Sequence, residues 1–236
     1  MSATQVTDAE EEYLQAIFWL QEAGLPMTAA NVARAMQLSA PTVHEMVTRL
    51  ERDGYIRRDA SKRLEFTESG LETAEGIVRR HRLIERFLTD VLGIPWDEVH
   101  EEAERLEHAM SPVLEERMLA AIGTAKTCPH GHPIEVGARI NGVPLADVDE
   151  GASVRVLRFE NEAEDLLHYL KAAGMEPGRR GVLQTKDDDE VTIAFEDGES
   201  TVTLSVAETI SVTADPSPPA RAALPEHIVL GGKYGR

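Results

Sequence analysis

Between residues 8 and 66 the chain sets out three helix starts in quick succession and then a short strand alternation, an order that few small folds accommodate. Asp8 is placed to cap a first helix whose apolar positions Tyr13, Leu14, Ile17, Phe18 and Leu20 share one stripe. Gly24 and Pro26 end it. Thr28 caps a short helix carrying Val32, Ala33, Ala35 and Met36. Ser39 caps a third, with Pro41 in the first turn where a missing N–H costs nothing. Val43, Met46, Val47 and Leu50 form the buried stripe of that helix, and Gly54 stops it. The stretch YIRRDASKRLEF then alternates around Asp59-Ala60-Ser61, which predicts two short strands. Helix, turn, helix and basic hairpin together make the pattern of a winged helix-turn-helix. Its recognition helix would be residues 39–53. The candidate DNA contacts are Ser39, Pro41, Thr42, His44, Thr48, Arg49 and Arg52, with Arg58 and Lys62 from the wing beside Arg57 and Arg63. The competing reading is a plain three-helix module with a solvated basic hairpin.

Overall charge argues against DNA at first sight. The 236 residues hold 42 Asp and Glu against 24 Lys and Arg, a net charge of −18. The distribution reverses that argument. Residues 27–66 are locally positive, with seven bases and five acids, whereas residues 85–165 hold 18 acids and seven bases. Only five of the bases are lysines. An acid-rich, lysine-poor surface suits a salt-rich interior, so a halophilic source is expected. The single cysteine, Cys128, excludes an internal disulfide framework. No apolar run approaches the roughly 20 residues that span a bilayer. The start MSATQVTDAEEE has neither a basic nor an apolar leader segment, so a soluble cytoplasmic protein without membrane contact is expected.

Residues 67–122 read as helical throughout. Thr67 opens a long helix to about Leu92, a break at Gly93-Ile94-Pro95 leads to a second from about Trp96 to Met110, and Ser111-Pro112 starts a third. Their apolar positions exceed what one winged module covers, which points to association of two copies. The first of these helices carries His81 and Glu85 at i and i+4. The second carries His100, Glu104, Glu107 and His108 at i, i+4, i+7 and i+8 on one face. Two such faces packed together present six nitrogen and oxygen donors, a set suited to a divalent first-row metal. A zincin would need a histidine where Glu104 stands, and a di-iron bundle needs Glu-x-x-His spacings that neither segment has.

After a Gly- and Pro-punctuated linker, GTAKTCPHGHPIEVGARI, short strands dominate: SVRVLRF, GVLQTK, EVTIAFED, STVTLSV and TISVT, around one helix at about residues 163–173. The expected fold class is therefore mainly α with a C-terminal β-barrel. The expected units are a winged helix-turn-helix at 1–66, a helical metal-binding and dimerisation unit with its linker at 67–140, and a small β-barrel at 141–213. A loosely ordered Pro- and Ala-rich tail follows at 214–236.

The order of winged helix, HRLIERFLTDVLGI, VHEEAERLEHAMS and CPHGHPI resembles the diphtheria toxin repressor family of metal-activated regulators, from about Asp8 to Pro133, and the barrel at 141–213 resembles that family's SH3-like domain. The resemblance implies a primary metal site at Glu12, Glu104, Glu107 and His108, and an ancillary site at His81, Glu85 and His100. Cys128 and His130 match a segment that supplies ancillary ligands in some manganese-responsive members. His132 ranks below them, and His44, His168 and His227 receive no metal role. The acid cluster Glu160, Glu162, Glu164 and Asp165 lies where some members supply barrel ligands, but it reads more readily as a solvated face. Iron-responsive members carry Met and Cys where this chain has Glu12 and Glu104. These hard oxygen donors favour Mn²⁺, with Fe²⁺ as the alternative. The implied protein is a homodimeric repressor, not an enzyme, that binds a pseudo-palindromic double-stranded operator and controls metal-homeostasis genes. Its rivals are a metal-independent winged-helix regulator and, with no nucleophile or oxyanion motif to support it, a metal-dependent hydrolase.

Overall fold

The computed structural model describes residues 6–135, 137 and 141–215. Helix α1 (Asp8–Glu22) has its cap one residue earlier than expected. Thr7 is the capping residue, and Glu10 returns the bond to the Thr7 N–H in a full capping box. Helices α2 (Ala29–Ala35) and α3 (Ala40–Arg52) start at Thr28 and Ser39, whose hydroxyls accept from Asn31 N and Thr42 N. Strands β1 (Ile56–Arg58) and β2 (Leu64–Phe66) pair antiparallel as the wing. Leu14, Ile17, Val43, Val47, Leu50 and Ile56 are fully or almost fully buried in the core of this unit.

Helix α4 (Glu68–Leu92) is 25 residues long, about 37 Å. Its N-terminal half gives Ala74, Ile77 and Val78 to the first core, and its C-terminal half gives Leu83, Ile84 and Leu88 to a second. One rigid element thus joins the winged unit to the helical one. Gly93 ends it in the left-handed conformation that a side chain would strain. Helix α5 (Val99–Glu107) is shorter than expected at both ends. Residues 96–98 form a turn in which buried Asp97 meets Lys171, and His108 is the C-cap rather than part of the helix. Helix α6 (Pro112–Ala121) follows the Ser111 cap.

The C-terminal region corrects the barrel. Strands β3 (Val143–Pro144), β4 (Ser153–Phe159), β5 (Arg180–Lys186), β6 (Glu190–Phe195), β7 (Gly198–Thr203) and β8 (Ile210–Asp215) form an open antiparallel sheet in the order β3-β8-β4-β5-β6-β7. With only two residues, β3 is too short an edge to close against β7. Helix α7 (Glu164–Ala172) occupies the expected position, whereas LSVA, read as strand, forms a helical turn, α8 (Leu204–Ala207), capped by Thr203. Phe159, Leu167, Leu170, Ile193 and Val212 are wholly buried in the third core. Residues 216–236, including His227 and nearly all of the expected tail, lie outside the described residues.

Candidate metal centre and DNA-binding face

The i and i+4 spacing on α4 puts His81 and Glu85 side by side, and α5 lays His100 against them. Glu85 Oε1 lies 3.0 Å from His81 Nε2 and 3.0 Å from His100 Nδ1, and the two ring nitrogens are 3.1 Å apart. Neighbouring ligands at right angles around an ion with bonds of about 2.1 Å stand about 3.0 Å apart, so these atoms match one face of an octahedron. A fourth donor comes from the C-terminal sheet: Glu162, in the loop after β4, sits 3.2 Å from His100 Nδ1. His81, Glu85 and His100 are buried although all three carry polar or charged groups. Trp19 covers them, its ring centroid 5.7 Å from those of His81 and His100.

The linker closes the other side. Arg86 on α4 donates to Thr127 O and Cys128 O (both 2.7 Å), and Arg82 donates to Pro133 O (3.0 Å). Gly131 permits the turn between them, since a Cβ there would stand 2.0 Å from Leu157 O. His130 donates from Nε2 to Trp96 O (2.7 Å), leaving Nδ1 facing Glu85 Oε1 at 3.3 Å and Glu162 Oε1 at 3.6 Å. Glu85, Cys128 and His130 therefore form a second donor group that shares Glu85 with the first. His132 is held by Phe159 O (2.8 Å) and lies 3.4 Å from both Glu22 and Glu162.

The set expected from α1 and α5 is brought close but is more open. His108 Nε2 is 3.7 Å from Glu107 Oε1 and 3.9 Å from Glu12 Oε1, within the about 4.2 Å that two ligands can span across one ion. Glu104 faces His100 Nε2 at 3.7 Å instead. His108 Nδ1 donates to Glu11 Oε2 (2.7 Å), and Glu11 is held by Arg80 at 3.1 Å. Such a carboxylate fixes the tautomer and direction of a ligating imidazole. Among the described residues, His100 Nε2, His108 Nε2, His130 Nδ1, His132 Nδ1 and Glu85 Oε2 are buried without a hydrogen-bond partner. Buried polar atoms are rarely left so, and these cluster where nitrogen and oxygen ligands converge, which fits a divalent cation.

The charges shift accordingly. Burial opposes protonation of His81, His100 and His130, but the surrounding carboxylates outweigh it. Glu85 and Glu107 hold His81 well above its ordinary value, Glu162 and Glu85 raise His100 to about 9, and Glu85 and Glu162 raise His130. Burial raises Glu162 and Glu85 raises it further, yet His130, His100 and His132 prevail and bring it down to about 2. The carboxylates thus favour the protonated form of these imidazoles. Raised histidine pKa values stabilise the fold fully below about 6.5, and that stability is lost as pH rises through about 9. Ligation needs neutral imidazole, so metal affinity runs the opposite way. The melting-temperature gain from added Mn²⁺ over chelator should therefore widen from pH 6.5 to 9, with proton release in calorimetry. A gain independent of pH would exclude these histidines as ligands.

On the other side of α1 the recognition helix presents Ser39, Pro41, Thr42, His44, Thr48 and Arg52 to solvent, and Lys62 is exposed at the wing tip. Three of the expected basic contacts are engaged within the chain. Arg49 bonds Glu10 (2.8 Å), Arg52 bonds Asp53 (2.8 Å), and Arg58, only 29% exposed, lies 3.3 Å from Glu51. A separate apolar surface, Val91, Leu92, Leu106, Val113 and Leu114, is exposed along the ends of α4, α5 and α6.

Comparison with known proteins resolves what this combination is. Residues 5–64 match the family model for the iron dependent repressor N-terminal DNA binding domain, residues 67–135 its metal binding and dimerisation domain, and residues 143–214 the FeoA domain. The chain is 38% identical over 216 residues to the iron-dependent repressor IdeR of Mycobacterium tuberculosis, covering 85% of this chain and 94% of that one. The chain belongs to the diphtheria toxin repressor family. The diphtheria toxin repressor of Corynebacterium diphtheriae is 38% identical over 182 residues, 71% of this chain and 80% of that protein. A manganese-dependent transcriptional repressor solved in complex with manganese superposes with a TM-score of 0.79 at 30% identity, covering 87% of this chain and 99% of that one.

As a member of this family the protein is a DNA-binding, metal-dependent transcriptional repressor that dimerises, not an enzyme. Among the described residues no helix is long and apolar enough to cross a membrane. Within the family frame, the sequence reading passed over Glu11, Arg80, Arg82 and Arg86, and it took Glu162 for part of a solvated face. Glu162 joins the donor cluster and Glu160 is held by Arg158 at 2.6 Å, while Glu164 and Asp165 are indeed exposed. The HRLIER segment carries a signal for the arginines, since both stand one residue after a buried position, but nothing local says what they hold.

Proposed function

We propose that this repressor is activated by Mn²⁺, with Fe²⁺ as the alternative, and that it then binds a pseudo-palindromic operator upstream of metal-homeostasis genes in the cytoplasm. The observation that carries the reading is the convergence of buried donors from α4, α5, the linker and the C-terminal sheet on Glu85. We assign His81, Glu85 and His100 to one centre, with Glu162 added and Cys128 and His130 beside it. We assign Glu12, Glu104, Glu107 and His108 to the other. A bound divalent ion supplies positive charge that neutralises converging carboxylates. Glu12 holds α1 of the winged unit to the helical unit through His108 and Glu107, while Glu11 and Arg80 keep the His108 ring oriented. Two winged units so fixed must set their recognition helices about 34 Å apart to enter successive major grooves.

The donor chemistry favours Mn²⁺: Glu12 and Glu104 place carboxylates where a thiolate or thioether would select a softer metal. The DNA contacts proposed are Ser39, Pro41, Thr42, His44, Thr48, Arg49, Arg52, Arg58 and Lys62, the exposed positions being supported by their place on α3 and the wing. The division into three units, proposed with boundaries at 66, 140 and 213, is supported by three apolar cores, the first of which also takes in the N-terminal half of α4. The acidic surface, read as adaptation to a saline cytoplasm, makes counterion release a weak contributor to affinity and metal-fixed geometry the stronger one.

The test is operator binding by gel shift with each metal in turn. Micromolar Mn²⁺ is expected to tighten binding and chelation to release it, and equal affinity with Mn²⁺, Fe²⁺ and chelator would end the proposal. Glu104→Cys is expected to move activation toward Fe²⁺, Co²⁺ or Zn²⁺. An unchanged metal order would show that this position does not set selectivity.

A further inference from the structure

Three consecutive glutamates near the start of α1 point to two different sides. Glu12 and Glu11 approach His108 at the metal-facing side. Glu10 turns the other way, toward the recognition helix. It is 3% exposed, and both carboxylate oxygens are engaged. Oε2 accepts from the Thr7 N–H and the Thr7 hydroxyl (both 2.8 Å), and Oε1 forms an ion pair with Arg49 Nε (2.8 Å), which also lies 3.8 Å from Asp53 Oδ2. Arg49 lies in the last turn of α3, and its side chain remains 41% exposed. A buried carboxylate that links a helix cap to a solvent-facing arginine is costly unless both ends are held. Here the cap fixes Glu10, and Glu10 fixes Arg49.

We infer that Glu10 is a positioning residue that transmits metal occupancy to the recognition helix: movement of the first turn of α1 at Glu12 is passed through the Glu10–Arg49 ion pair to α3. The inference rests on the assignment of Glu12 as a ligand and of α3 as the DNA-reading element. Residues 10 and 12 share one turn of a capped helix, so a displacement imposed on one is imposed on the other. Arg49 keeps enough exposed surface to meet a phosphate while its Nε stays on Glu10. The ion pair therefore sets the direction in which Arg49 presents its remaining donors.

The test uses the full chain and Glu10→Gln. Glutamine still accepts from the Thr7 N–H, as capping boxes allow, but loses the charge that holds Arg49. Co²⁺ binding by calorimetry and the melting temperature in chelator should stay close to wild type. The ratio of operator affinity with Co²⁺ to that with chelator should fall by about fivefold or more, the lower end of usual coupling factors. In an Arg49→Gln background the same substitution should cost no further coupling. A wild-type ratio in Glu10→Gln, or an equal loss of operator affinity with and without metal, would overturn the role. Exchange of the Arg49 Nε–H in the wild-type protein gives a measurement independent of any variant. It should slow when diamagnetic Zn²⁺ is added, and an unchanged rate would also overturn the role. Loss of Co²⁺ binding in Glu12→Ala separates the two levels: if Co²⁺ still binds there unchanged, the ligand assignment fails and not the ion pair.

Discussion

Replacing Glu85 with glutamine should lower the melting temperature in chelator at pH 7 by roughly 6–12 °C, the consequence of about 3 kcal/mol lost in a chain of this size. The carboxylate is fully buried and lies within 3.3 Å of His81, His100 and His130. Its pKa shows how the balance falls. Burial alone would raise it, yet His130 and His81 hold it well below the ordinary carboxylate range. Removing the charge leaves imidazolium groups that must shed their protons or stay buried and unpaired, and both cost stability. Two further readouts separate this from simple cavity or packing damage. The deficit against wild type should narrow as pH rises from about 6.5 toward 9, because the unfolded chain gives up its histidine protons above about 6.5 while folded His100 holds its proton until about 9. The stabilisation given by saturating Mn²⁺, about 2.7 kcal/mol at a hundred times the dissociation constant, should also fall away. A variant that melts within 2 °C of wild type at pH 7 (roughly 1 kcal/mol or less) would show that Glu85 is not the hub of the cluster.

What the sequence disclosed depended on how far each signal reaches along the chain. The caps at Thr28, Ser39, Thr67 and Ser111 and the i, i+4 histidine–glutamate faces are local, and α2, α3, α4 and α6 begin where those caps stand. Thr7 was missed in favour of Asp8 because both are capping residues and each has a glutamate three residues later, Glu10 or Glu11, so the local pattern does not separate them. The barrel was misread because alternation marks strands but not closure, and the shortness of β3 is invisible in a Gly- and Pro-rich stretch. For the site, His81, Glu85 and His100 are legible from periodicity. Glu162 is not, because it stands in a loop of another unit, 62 residues beyond His100, and only the packing of β4 against the linker brings it in. Arg49 shows the converse limit: its exposure on α3 is predictable, but its partner Glu10 belongs to a helix whose register against α3 no local pattern encodes.

Glu107→Gln should have the widest effect on regulation, since this one buried carboxylate touches groups in both proposed centres. Oε2 accepts from His81 Nδ1 at 2.7 Å and from Gln15 Nε2 of α1 at 3.3 Å, while Oε1 faces His108 Nε2 at 3.7 Å. Toward His81 it is the orienting partner of a ligand, a role whose loss typically costs about 10–100-fold in metal affinity. Toward His108 it is itself a donor. Glutamine keeps the volume and can still accept from Gln15, so the core around it should hold. Mn²⁺ titration by calorimetry should show both classes of site weakened by about tenfold or more. The operator affinity ratio between saturating metal and chelator should collapse toward one from the about 5–150-fold usual for such coupling. The pattern of loss is what discriminates. Weakening of one class alone would place Glu107 in a single centre, and the link between centres would have to run elsewhere. Glu115→Gln, at a partly exposed partner of Arg79 remote from both donor groups, should leave both classes intact and serves as the control. If Glu107→Gln matched that control, Glu107 would be neither a ligand beside His108 nor the group that orients His81. The shared carboxylate would also couple the two proposed centres: Glu107 holds His81 through Oε2 and faces His108 through Oε1, so an ion held at either centre would favour the carboxylate position that the other needs. The second class of site should therefore bind Mn²⁺ more tightly once the first is occupied, and in Glu107→Gln that cooperativity should vanish along with the affinity.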